Sequence, residues 1–114
     1  MVRHERDVKA VEMAMAGATG VTKRIMIGPE DGYDGFLRVF TIEPGGSSPH
    51  HAHEWFHANY ILEGRGSLII DGEERTIEAG SVAYIAGGKR HTFVNKGSVP
   101  LKFICLVPRE GDAY

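Results

Sequence analysis

Apolar and polar residues alternate in short runs along most of this chain, with a period of two. Phe36, Arg38 and Phe40 share one face of such a run, and Phe103, Cys105 and Val107 share another. Strict alternation over four to eight residues predicts half-buried β-strands. Strands are expected at 21–27, 36–43, 57–62, 66–70, 74–77, 82–85, 91–95 and 101–107. Turn residues fall between them: Gly64-Arg65-Gly66, Asp71-Gly72, Ala79-Gly80, Gly87-Gly88 and Gly97-Ser98. Asp71-Gly72, between Leu68-Ile69-Ile70 and Arg75-Thr76-Ile77, carries the strongest hairpin signal, because both residues tolerate positive φ. Strands at this spacing, with no long helical period between them, predict an antiparallel sandwich or barrel. Residues 8–15 fit either a helical turn or an edge strand. No internal repeat or linker is visible, and 109–114 reads as a loose tail.

Composition narrows the picture. With 114 residues the chain is expected to be one domain, 1–114, whose core is small for its surface. Metal ligation and dimerisation are two ways to supplement such a core. Fifteen glycines are about twice the average usage, and most sit between the strands. The net charge is −2 and no basic stripe exists, so nucleic-acid binding lacks its electrostatic footprint. No apolar run is long enough to span a bilayer. The first nine residues mix His4, Glu5, Arg6 and Asp7 without an apolar stretch behind them, which argues against a secretory signal. Cys105 is the single cysteine and forms neither an internal disulfide nor a zinc finger. A cytoplasmic location is the expectation.

The candidate chemistry lies in the histidines. Five of the six fall in two places: Pro49-His50-His51-Ala52-His53-Glu54-Trp55-Phe56-His57, and His91 after Gly87-Gly88-Lys89-Arg90. In an extended strand, residues two apart face the same side about 6.6 Å apart. His51 and His53 therefore suit two imidazoles converging on one metal, and His50 faces away. His57 lies too far along an unbroken strand to join them. A bend through Glu54-Trp55-Phe56 and a returning strand would bring it back, with His91 supplied by a neighbouring strand. His4 and His50 read as surface residues.

These residues resemble the two motifs of the cupin superfamily. The first runs Gly, His-x-His, Glu, Gly; here Gly45, His51-Ala52-His53, His57 in the place of the glutamate, and Gly64. The second runs Gly, Pro-x-Gly, His, Asn; here Gly80, Ala86-Gly87-Gly88, His91 and Asn95. The match covers 36–108. It implies an all-β fold, the cupin double-stranded β-helix or jelly-roll barrel, with 1–20 as an N-terminal segment that can form a dimer. The missing glutamate makes the chain similar to small stand-alone cupins whose metal is held by four histidines, here His51, His53, His57 and His91. Thr22-Lys23-Arg24, Glu43-Pro44-Gly45-Gly46 and Phe103-Ile104-Cys105-Leu106-Val107-Pro108 fit the same subset. In that subset Glu often flanks the third histidine, where this chain has Phe56 and Ala58.

Four neutral imidazoles leave the full charge on a divalent ion, which favours an anionic or enolisable oxygen ligand. Imidazole suits Mn, Fe, Ni, Cu and Zn alike; the resemblance implies Mn or Fe. Strand parity places Asn59 on the face of His57 and Phe93 on that of His91. Arg38, Asn59, Phe93 and Cys105 are thus the candidate pocket residues. Arg38 and Asn59 read either as substrate contacts or as structural residues, and Cys105 either as a pocket residue or as a small core group. Trp55 and Phe56 read as a cap on the pocket or as part of a dimer interface. The expected function is a metal-dependent oxygenase acting on a small oxygen-bearing organic molecule, with a homodimer as the assembly. The alternatives are a non-catalytic metal or small-ligand binding module, and a non-oxidative metal-dependent isomerase or lyase.

Overall fold

The alternating pattern becomes nine strands, all paired antiparallel, in a computed structural model that describes residues 1–112. They are β1 (Val11–Glu12), β2 (Thr19–Ile27), β3 (Gly35–Ser47), β4 (His57–Glu63), β5 (Arg65–Ile70), β6 (Glu73–Glu78), β7 (Val82–Ile85), β8 (His91–Asn95) and β9 (Leu101–Pro108). Their order is β6-β5-β8-β3-β9-β4-β7, with β2 added to β3 and β1 to β2. This is the jelly-roll barrel expected from the sequence. No helix among the described residues is long and apolar enough to cross a membrane.

The hairpin β5–β6 turns on Asp71-Gly72 at φ 48° and 82°, the left-handed backbone that a two-residue turn of this twist requires. Inward residues of the strands make one core of Val21, Ile42, Ile61, Leu68, Ile85, Leu101 and their neighbours. Burying each such aliphatic side chain contributes roughly 1.5–3 kcal/mol. Phe103 stacks on Phe93 at 4.3 Å and on Phe40 at 5.6 Å, so three aromatic rings line the barrel interior.

β3 runs four residues past the predicted end at 43. Glu43-Pro44-Gly45-Gly46 has turn composition, but here it bends a continuous strand. Residues 35–42 of β3 pair with β9, and Ser47 pairs with Val94 of β8. Gly45 takes φ 80° within the bend. Ser48 then ties the chain to β8: its N–H donates to Phe93 O, its hydroxyl accepts from Phe93 N–H, and its carbonyl accepts from the Thr92 hydroxyl. Asn95 fixes the far end of β8 by donating to Ile42 O and Val99 O and accepting from Gly97 N–H.

Residues 8–15, open between two readings, contain the short edge strand β1, which pairs with β2 of the same chain. Among the described strands β1 pairs on one side only. The loose tail expected at 109–114 is corrected. Arg109–Gly111 forms a 3₁₀ turn, Gly111 is buried, and Asp112 is ion-paired inside the barrel. Ala113 and Tyr114 lie outside the described residues.

Candidate metal centre

His51 and His91 are held opposite each other by two backbone hydrogen bonds, His51 N–H to His91 O at 3.1 Å and the reverse at 2.8 Å. From this pair the extended chain carries His53 to the same side, leaving His50 exposed. A bend at Glu54 and Trp55 then returns the chain into β4, which opens with His57. The bend is locked to the turn before His91, since Gly88 N–H donates to His53 O at 2.7 Å. A side chain at Gly87 would meet the Glu54 carbonyl oxygen at 2.1 Å, so only glycine allows this approach.

Three of the rings, His51, His53 and His91, share one centre, and His57 packs against them from outside that set. His53 stacks on His57 with centroids 4.5 Å apart, and His91 lies 4.9–5.1 Å from each of the other three. The ligand nitrogens of His51, His53 and His91 lie within 4.8 Å of one another. Nε2 of His57 is 2.8 Å from Nε2 of His53. Outer atoms set the tautomers. Nδ1 of His53 is 3.1 Å from Trp55 O, and Nδ1 of His91 is 2.9 Å from Lys89 O. A carbonyl only accepts, so both Nδ1 atoms carry the hydrogen and both Nε2 lone pairs face the centre. Nε2 of His91 is buried without a hydrogen-bond partner. Trp55 stacks on the outer face of His53 at 4.5 Å and stiffens that ring.

Burial, followed by repulsion from the neighbouring histidines, lowers His51 to about 4 and His57 to about 2. Burial also lowers His53 and His91. The cluster is therefore neutral at pH 7 and contains no carboxylate. A soft or borderline divalent ion fits such a donor set: neutral nitrogens close together, tautomers set at His53 and His91, and one orphaned lone pair.

These shifts carry a pH dependence. Imidazoles in the unfolded chain titrate near 6.5, whereas His51 in the fold titrates near 4. Between those values the unfolded chain binds more protons, so stability rises with pH. The metal-free protein is expected to lose stability as pH falls from 7 toward 4. Chemical denaturation in chelator across that range checks this, and a flat profile would contradict it.

A small cavity of about 20 Å³ opens beside the cluster. His51, His57 and His91 form its polar end; Phe40, Phe93 and Phe103 form an apolar wall. Cys105 lines it, and so does Met13 from the N-terminal segment, which sequence reasoning did not single out. Of the four candidate pocket residues, Phe93 and Cys105 line the cavity. Arg38 and Asn59 are not among its lining residues. Arg38 is fully buried: Nη2 donates to Cys105 Sγ at 3.1 Å, Nη1 lies 3.3 Å from Asp112 Oδ1, and the guanidinium sits over the Phe40 ring. Asp112 Oδ1 also accepts from Lys23 Nζ at 2.8 Å. Lys23 shares the inward face of β2 with Val21, and a lysine at that parity is the one sequence signal of this buried ion pair. Trp55 is half-buried against the core, whereas Phe56 is exposed and stacks on Tyr84.

The chain is similar to several known proteins. The polyketide cyclase RemF from Streptomyces resistomycificus superposes with a TM-score of 0.87 at 35% identity, covering 96% of this chain and 80% of that one. The oxalate-binding protein of Thermotoga maritima is 29% identical over 82% of this chain and 80% of its own length. The 1-methylthio-D-xylulose 5-phosphate methylsulfurylase of Rhodospirillum rubrum is 30% identical over 89% of this chain, which spans only 64% of that protein. Residues 38–107 match the cupin domain family, and with the barrel and the histidine cluster on the same segment, the chain belongs to the cupins.

Proposed function

We propose that His51, His53, His57 and His91 hold one divalent transition ion and that the protein is a metal-dependent enzyme for a small, enolisable oxygen compound. The observation that carries this is the set of nitrogens from His51, His53 and His91 within 4.8 Å of one another, with Nε2 of His91 buried and unpartnered and the His57 ring packed against them. Mn or Fe is the favoured occupant, and Zn, Ni or Cu suits the same donors. When bound, the ion supplies Lewis-acid polarisation of a carbonyl or enolate oxygen, undiminished by any ligand carboxylate.

The residues of the chain do the rest. Phe40, Phe93 and Phe103 line one side of the cavity and keep that side apolar. The histidine end receives the oxygen. Among the described residues no Asp or Glu lines the cavity, so an anionic oxygen at its histidine end would meet no side-chain carboxylate there. The cavity holds about 20 Å³, room for little more than one water-sized group, so only the oxygen-bearing end of a small substrate fits there. RemF, a relative named as a polyketide cyclase, lends support to non-oxidative carbonyl chemistry.

Deuterium exchange into acetylacetone, followed by NMR under argon, tests the proposal. Protein loaded with Zn(II) or Mn(II) should accelerate exchange at least about tenfold over the metal-free protein, about 1.4 kcal/mol of barrier. Oxygen uptake is measured in parallel with Fe(II)- and Mn(II)-loaded protein. Uptake matched to substrate loss, without exchange, would favour the oxygenase that the sequence led us to expect. Neither exchange nor uptake would leave a binding module.

A further inference from the structure

The registers of β3, β9, β4 and β7 align their outward residues into two continuous rows. Val39 pairs with Ile104, Ile104 with Tyr60, and Tyr60 with Val82. The next row runs Leu37, Leu106, Ala58 and Tyr84 in the same way. The alternate residues of these strands, among them Asn59, Ile61, Phe103 and Cys105, are buried in the barrel, so both rows face outward. Neither row contains a charged side chain. Outward positions of the β5–β6 hairpin differ: Arg65, Ser67 and Ile69 stand opposite Glu78, Thr76 and Glu74, a mixture suited to a face that meets water.

The apolar rows are exposed where they reach β4 and β7. Val82 is 73% exposed, Tyr84 66% and Tyr60 47%. Phe56, on the bend before His57, extends the patch by stacking on Tyr84 at 5.9 Å. On the other side the first residues of the chain cross the sheet, held by Arg3 to Asp31 and by Glu5 to Lys102. Met1 and Val2, both exposed, line one groove with Leu62 and Ile104.

Size and charge say what covers this face. Four strands, taken from Phe56 to Leu62, span roughly 19 by 20 Å. With side chains standing out of the sheet and Met1 and Val2 beside them, the accessible area is on the order of 800 Å². That exceeds the roughly 300–600 Å² of the largest apolar patch on an ordinary monomer. It matches the ~800 Å² that each partner gives to a standard interface. Tyr, Phe and Met are residues that interfaces favour. The cations at the border, Arg3 and Lys102, are already paired within the chain, so the patch offers apolar contact rather than charge complementarity to a foreign partner. A flat uncharged sheet face fits its own copy across a twofold axis.

We propose that the outer face of β3, β9, β4 and β7 is the interface of an isologous homodimer. Tyr60, Val82 and Tyr84 of each copy are covered by the other, and Phe56 with them. The bend that leads to His57 is thereby held from outside, and the small core of one chain gains a second apolar layer. The inference stands apart from the metal reading.

Sedimentation velocity on the full metal-free chain tests it. At about 10 μM, ten times a Kd of about 1 μM, the parent should sediment as two chains. Val82→Lys and Tyr60→Lys each place a charge in the interface twice over, and each should raise the dimer Kd at least about tenfold. Thr76→Lys, on the exposed face of β6, should leave it unchanged. Val82 is largely exposed, so Val82→Lys should keep the circular dichroism and melting temperature of the parent and decides the matter even if Tyr60→Lys does not fold. A monomeric parent would overturn the proposal, as would a dimer undisturbed by Val82→Lys. Val11→Lys probes the open edge of β1: a dimer that it dissociates while Val82→Lys does not lies at β1, and the assignment of this face fails.

Discussion

Replacing His53 with alanine is expected to abolish stoichiometric binding of Zn(II) or Co(II). His53 is the hinge of the cluster: its ring stacks on His57, lies 5.1 Å from both His51 and His91, and is braced from behind by Trp55. Alanine removes one nitrogen and the surface that aligns another. His50→Ala removes an equally close neighbour in sequence, but His50 is exposed on the opposite side of the chain. It should bind as the parent does. Equilibrium dialysis with elemental analysis gives the comparison, and thermal unfolding adds an independent reading. At a free ion concentration of about 100 times Kd, the parent and His50→Ala should gain about 2.7 kcal/mol, and His53→Ala should gain nothing. Equal losses in both variants would mean that the face assignment is wrong.

The second large effect lies away from the cluster. Asp112→Ala is expected to destabilise the metal-free protein by about 3–5 kcal/mol, because it leaves the fully buried Arg38 without its carboxylate. That is a large share of the roughly 5–15 kcal/mol that holds a domain of this kind together. The double variant Arg38→Met/Asp112→Ala should recover much of the loss, since no buried charge then lacks a partner. Urea unfolding in chelator measures both. An Asp112→Ala protein as stable as the parent would show that the C-terminal turn contributes little to Arg38.

The strands were legible because one face of each is buried, and a period of two follows directly from that. The exceptions have physical causes. Glu43-Pro44-Gly45-Gly46 carries turn chemistry, yet it serves as a bend that passes β3 from β9 to β8. β1 is two residues long, too short to show a period. The gathering of His51, His53 and His91, with His57 packed against them, was readable from spacing, a required bend and a glycine turn. Parity with Phe103 and Val107 turned Cys105 inward but left open whether it lines a pocket or fills the core. The roles of Asp112 and Met13 were not readable. Each reaches the barrel from a segment without periodicity, and its position depends on how the termini fold back over the sheet. Arg38 shows the limit of parity: the pattern turned it inward correctly, and only its partners show that it holds Cys105 and Asp112 and stands outside the cavity lining.

The central claim is that four imidazoles hold one ion, and metal content tests it most directly. Protein purified without chelator or a metal-binding tag should carry about one divalent transition ion per chain, or take up one when Mn(II), Fe(II) or Zn(II) is added after chelation. Failure to carry or take up any ion would contradict the account and leave only the fold standing.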